Sequence, residues 1–399
     1  MKRNARCKGN AKKINMKWRF RTVWFFLMSM VVLGALHQAF PRERGPRVEV
    51  ACPWPPIPVS IDEHVVLAYE LHITNFDKVP LTLSKLEVFG DNGAAQAFES
   101  LSGDALAPMM LNLGATASAK QPQRIEPGSR AILFMWVALP PDAPTPQRLK
   151  HRLVFVSGDA QPAGSTQPTA TLEAFPVDVS ADAVPVLSSP FREGVWVAGD
   201  GPANDSPHRR ALLAIDGHVH LPERFASDWV KVGPNGDSHQ GTARNEDYWA
   251  YGQELLAVAD GEVTQIADGM LDNTPHQLPQ PVTLDNILGN YIVLCIAPNR
   301  YVTYAHLQKG SITVALHQQV RRGNVIARVG NSGQASAPHL HLQVTDRDSA
   351  LQAEGVPFVF DRFTDFGSGE TYELNKHPSI PRTHALPGKD EVLSLSAAR

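Results

Sequence analysis

Val65-Val66-Leu67-Ala68-Tyr69-Glu70-Leu71-His72-Ile73 carries a large apolar side chain at every odd position. Side chains of an extended strand alternate between faces, so this pattern predicts a strand with one buried face. Ala131-Ile132-Leu133-Phe134-Met135-Trp136-Val137 and Arg152-Leu153-Val154-Phe155-Val156 read as further strands, bounded by Pro, Gly and Asp clusters. Several strands in succession without a helical period predict an immunoglobulin-like sandwich over residues 60–185, folding independently of the rest of the chain. A second strand-rich region is expected over residues 210–365. It contains Leu255-Leu256-Ala257-Val258-Ala259-Asp260-Gly261-Glu262-Val263, read as strand, tight turn and strand, and a similar run from Val320 to Gly333. The chain is therefore expected to be all-β, a sandwich and then a second strand-rich domain. Residues 42–59 read as a Pro-rich linker, 186–209 as a connection, and 366–399 as a loose, polar tail.

Composition agrees with this reading. A chain of 399 residues with 43% hydrophobic and 19% charged content is long enough for two cores and too apolar for a disordered chain. Gly 29 and Pro 32 favour strands and turns over a helical bundle. Cys 3 excludes a disulfide scaffold and any multi-cysteine metal site. Cys7 falls in the basic leader, and a Cys52–Cys295 bridge is not relied upon. The net charge of −3 conceals an asymmetry: residues 1–21 hold nine Lys/Arg and no acid, leaving 28 bases against 40 acids elsewhere. Basic charge confined to one end gives no nucleic-acid surface.

That basic n-region, 1–21, precedes a run from Thr22 to Pro41 without formal charge. As a helix, those residues would span roughly 30 Å. Residues 22–41 are thus a signal peptide or an uncleaved membrane anchor, and everything beyond residue 45 is expected outside the cytoplasm.

Chemistry gathers in the second region. Nine of the 15 histidines lie between 208 and 341. Pro338-His339-Leu340-His341-Leu342-Gln343-Val344 alternates, so His339 and His341 share a strand face. His306 ends another strand, Tyr301-Val302-Thr303-Tyr304-Ala305-His306-Leu307, and Asp228 sits in the apolar run Ala226-Ser227-Asp228-Trp229-Val230. A carboxylate there requires a cation, a metal or a set of donors. Imidazoles with a carboxylate are a ligand set suited to catalytic zinc.

In these residues, and in Gly289-Asn290-Tyr291-Ile292-Val293, Gly330-Asn331-Ser332-Gly333 and Ala337-Pro338-His339-Leu340-His341, the chain resembles the lysostaphin-type zinc metallopeptidases that cut peptidoglycan. The resemblance covers roughly residues 222–346. It implies an antiparallel core crossed by a groove, Zn²⁺ held by Asp228 and His341, and His306 and His339 as the catalytic pair. It also implies peptidoglycan peptide stems as the partner.

One position departs from the family pattern: Arg224 stands where a histidine is expected, four residues before Asp228. Arginine has no lone pair for a metal. On a continuous strand, Arg224 and Asp228 would share a face and could form an ion pair. His220 and His218 are too distant along such a strand. His208 or His239 could fold back over the groove, and His208 is preferred as the third ligand. Two functions are compatible with these residues: an envelope zinc endopeptidase, or a catalytically degenerate relative that binds wall peptide or activates a partner hydrolase. The motifs around Asp260-Gly261 also look like a biotin or lipoyl carrier, but no Lys flanked by Met stands at a hairpin tip.

Overall fold

The alternating run at Val65–Ile73 becomes part of the long strand His64–Asn75. It is central in a sheet ordered Val48–Ala51, His64–Asn75, Arg130–Ala138, Met110–Leu113, with Val59–Ile61 also paired to it. A second sheet runs Thr169–Asp178, Arg148–Ser157, Leu81–Gly90, Glu99–Ser102. Every pair in both sheets is antiparallel. They enclose one apolar core, to which the first contributes Leu67, Tyr69, Leu71, Leu133 and Met135 and the second Leu83, Leu86, Leu153 and Phe155. These features come from a computed structural model, which describes residues 45–91, 96–113, 121–158, 168–241, 244–368 and 379–395. The basic leader 1–21, the apolar run 22–41 and Cys7 lie outside the described residues. Among those residues no helix is long and apolar enough to cross a membrane.

A ten-stranded antiparallel sheet forms most of the rest, beside three two-stranded sheets, of which Val186–Leu187 with Val359–Phe360 is parallel. The order of the large sheet is Gln319–Val320, Gly261–Ala267, Asn290–Ala297, Arg300–Leu307, Leu340–Thr345, Ser227–Val232, Val195–Gly199, Glu391–Ser394, Phe363–Ser368, Ile380–Arg382. The strands predicted on either side of Asp260-Gly261 exist, but they do not pair with each other. Glu254–Leu256 pairs with Val325–Arg328, while Gly261–Ala267 enters the large sheet.

Three segments read as connecting or loose carry structure instead. The proposed linker 42–59 contributes Val48–Ala51 to the first sheet. The proposed connection 186–209 contains Val195–Gly199, whose Trp196 is fully buried and stacks on Phe191 with ring centroids 3.5 Å apart. The tail expected to be loose supplies Ile380–Arg382 and Glu391–Ser394, and Val392, Leu393 and Leu395 are fully buried. In each case a few apolar residues suffice because the sheet already offers an unpaired edge and a waiting core. The cysteines Cys52 and Cys295 are both unpaired and donate to the carbonyls of Trp54 and Ala297.

Both faces of His64–Asn75 are covered. Its odd residues fill the sandwich core, while Val66 and Ala68 join the large cluster that also holds Phe225, Trp229, Tyr304 and Leu340. From Gly45 onward the chain is one compact unit. Residues 60–185 and the second region thus share the two faces of this one strand.

Candidate metal centre

Asp228 lies on the strand Ser227–Val232, directly opposite His341 on Leu340–Thr345. Such cross-strand neighbours bring side chains into contact. His341 Nδ1 is 2.9 Å from Asp228 Oδ1. On the other flank of the same strand, Val195–Gly199 pairs so that Gly199 faces Asp228. The chain reverses at Asp200, with φ +48°, and returns as the 3-10 turn His208–Arg210. That return puts His208 Nε2 3.5 Å from Asp228 Oδ1. One donor atom each from His208, Asp228 and His341 lies within 4.8 Å of the others.

His306 and His339 border the same place. Ala305 pairs with His341, so strict alternation would send His306 to the opposite face of the sheet. Its backbone is instead left-handed, with φ +62°, a conformation that costs a residue with a β-carbon roughly 1–2 kcal/mol. The ring consequently lies with its centroid 4.7 Å from that of His339 and 5.8 Å from that of His341. His339, one residue before its strand, has Nε2 3.4 Å from Asp228 Oδ2. All five side chains line a cavity of about 380 Å³ together with Glu223, Leu278 and Leu288.

Each imidazole is fixed through one nitrogen. His208 Nδ1 is 3.0 Å from the Asp200 carbonyl, His306 Nδ1 2.9 Å from that of Ser332, and His339 Nδ1 2.8 Å from that of Ala337. His341 uses the opposite nitrogen: Nε2–H donates to Gln343 Oε1 at 2.7 Å, and the Gln343 amide donates to the Ala350 carbonyl at 2.7 Å. In a neutral ring, an N–H held by an oxygen acceptor leaves the other nitrogen its lone pair and its aim; at His341 that other nitrogen faces Asp228 Oδ1. The donor set suits zinc on this count. The three candidate donors also lie close enough together to share one ion, while His339 Nε2, 3.4 Å from Asp228 Oδ2, stands beside them.

The charges in the cavity depend on one another. Burial alone would raise the Asp228 carboxyl, but the charges of His339 and His208 and the contact with His341 hold it well below the usual carboxylate range. Burial would lower His341, yet its hydrogen bond and charge pairing with Asp228 push it up to about 9. Burial, then repulsion from His339 and His341, lowers His306 well below the usual histidine range.

Arg224 is elsewhere. Residues 222–225 form a turn, and the strand begins only at Ser227, so the extended path that would align Arg224 with Asp228 is broken. Its guanidinium instead donates to Glu70 Oε1 at 3.1 Å and Oε2 at 2.9 Å, to Glu354 Oε2 at 2.7 Å, and to the Gly355 carbonyl at 2.9 Å. His220 joins that cluster, 3.5 Å from Glu354 Oε1. His239 does not reach the cavity; its ring stacks on Tyr248. Residue-by-residue reading missed Glu70, an acid on the second face of an apolar strand, and Gln343, two residues beyond His341 on the same face. Both were visible as polar interruptions of apolar runs.

An antiparallel sheet presenting anchored imidazoles and a carboxylate to one cavity is the kind of site that metal-dependent hydrolases use. Residues 239–353 match the family model described as Peptidase family M23, which bears out the resemblance to lysostaphin-type peptidases. The match begins at His239, so Asp228 and His208 lie upstream of it. Among solved structures, the chain is similar to a catalytic-domain mutant of the prophage-encoded M23 protein EnpA from Enterococcus faecalis. The identity is 17%, over 44% of this chain and 93% of that one, with a TM-score of 0.25. It is similar to the catalytic domain of lysostaphin from Staphylococcus simulans at 20% identity, over 41% of this chain and 88% of that one, with a TM-score of 0.22. A third similar structure is the SpoIIQ-SpoIIIAH pore forming complex, at 12% identity over 43% and 89% of the two chains, with a TM-score of 0.26. No curated protein matches the chain.

Proposed function

We propose that the protein is a zinc metalloendopeptidase of the cell envelope that cleaves the peptide cross-links of peptidoglycan. The observation that supports this most is the set of four imidazoles around Asp228: His208, His306 and His339 each have Nδ1 tied to a backbone carbonyl, and His341 spans Gln343 through Nε2 and Asp228 through Nδ1. In this reading Asp228, His341 and His208 would hold the metal. When bound, zinc supplies a Lewis acid that makes water nucleophilic near neutral pH. His306 and His339 keep Nε2 facing the scissile peptide. One accepts the proton of the attacking water, and the other donates to the carbonyl oxygen as charge develops on it. The cavity beside them, bordered by Leu278 and Leu288, takes the peptide stem and limits water around the reacting bond. Export or tethering falls to the segment 22–41, which places the enzyme outside the cytoplasm and on the membrane if uncleaved.

Arg224, at a position where the family has a ligand, favours a second reading in which the groove binds wall peptide or a partner hydrolase without cutting. Zinc analysis of the full chain and chromatography of digested wall peptides separate the two. Zinc bound in one equivalent with release of cleaved stems is expected. Asp228→Ala and His341→Ala should lose both metal and hydrolysis, whereas His306→Ala should lose hydrolysis and keep the metal. A wild-type chain that binds no zinc and cleaves nothing would leave only the binding reading.

A further inference from the structure

We propose that Glu70, on the sandwich strand His64–Asn75, is a positioning residue of the metal centre, acting through Arg209 to hold His208 in place. The inference rests on the zinc reading above and adds to it a source of control outside the matched segment. His208 belongs to a turn without strand partners, so something other than a ladder must fix it. Its neighbour Arg209 is fully buried and donates to Glu70 Oε1, to the Tyr69 carbonyl at 2.9 Å and to the Met135 carbonyl at 3.3 Å. All three acceptors lie on the first sheet of the sandwich. Arg210 reinforces the attachment by donating to the Pro108 carbonyl at 2.9 Å, with its guanidinium 4.3 Å from the centroid of the Phe134 ring.

Glu70 is itself 1% exposed and takes a second arginine, Arg224, through both carboxylate oxygens. One buried carboxylate thus joins the arginine that stands at the vacated ligand position to the arginine beside the replacement ligand. A buried guanidinium that leaves its carboxylate is left uncompensated, so the turn has few other places to go. His208 is then carried to Asp228 by the sandwich, and metal affinity depends on a domain that touches no substrate.

The test is zinc affinity of the full chain by competition with a chelator, with thermal unfolding recorded for each variant. Arg209→Lys keeps the charge but loses the planar fork that spans three acceptors. It should weaken zinc at least about tenfold, as loss of outer-shell support does elsewhere. Glu70→Gln should weaken it further. The discriminating measurement is the double variant Arg209→Lys/His208→Ala, which should bind no more weakly than His208→Ala alone, because the arginine acts only through that histidine. If Glu70→Gln fails to unfold cooperatively, the Arg209→Lys series decides alone. Unchanged affinity in Arg209→Lys, or losses that add in the double variant, overturns the positioning role while leaving the zinc reading intact. A wild-type chain without zinc affinity overturns both.

Discussion

Gln343 does for His341 what a backbone carbonyl does for each of the other three imidazoles. Its side chain is fully buried and spends its own amide N–H on the Ala350 carbonyl. Gln343→Leu would leave His341 free to turn or to change tautomer. The expected result is a zinc affinity about 10–100-fold weaker with the fold retained, measured by chelator competition alongside circular dichroism. The alternation that put His339 and His341 on one face also put Gln343 there, so this role was within reach of a period-2 reading. Arg224 is the opposite case. Its spacing from Asp228 suggests a shared face only if the strand is continuous, and the turn at residues 222–225 removes that premise.

At the scale of elements, Glu391–Ser394 carries more than its short length suggests. It pairs with Val195–Gly199 on one side and Phe363–Ser368 on the other. Leu393 is fully buried in the large cluster, so Leu393→Ala should cost about 2–5 kcal/mol, read as a lower urea midpoint. The loss should propagate to the site, because Val195–Gly199 is the strand from which the chain turns back to deliver His208. Zinc binding in that variant should therefore fall at urea concentrations below those that unfold the sandwich. Polar composition with Pro and Gly made the segment look loose. A four-residue strand in a sheet interior needs only two or three apolar residues, too few for a periodic signal.

Across the whole molecule, stability should be limited by buried titratable groups outside the cavity lining. His151 accepts from the Tyr69 hydroxyl at 2.6 Å and sits 3.0 Å from the Phe175 carbonyl; burial pushes it down to about 4. Between that value and its ordinary 6.5 the unfolded chain binds more protons, so stability falls as pH drops through this window, by about 3 kcal/mol. Burial, with Asp365 and Asp62 nearby, pushes Glu391 up to about 8 from 4.5. There the folded chain binds more protons, and stability falls as pH rises through that window. His151→Gln should flatten the acid limb and Glu391→Gln the alkaline limb of a plot of urea midpoint against pH. Unaltered limbs would mean that other groups set them.

The same scale separates what the chain declared from what it withheld. Alternation at Val65–Ile73 and Pro338–Val344 determined strands, an all-β class, and the pairing of His339 with His341, because side-chain direction in a strand is a local property. Ordered motifs over roughly residues 222–346 carried the resemblance to lysostaphin-type peptidases, and residues 239–353 match the family model. Only the tertiary structure decided that His208 stands beside Asp228, that His306 turns inward through a left-handed backbone, and that Glu70 binds two arginines from distant turns. Those facts depend on which strands lie side by side and on where a reversing chain finds a buried partner. Both are set by long-range packing and charge neutralisation, which leave no periodic trace in sequence.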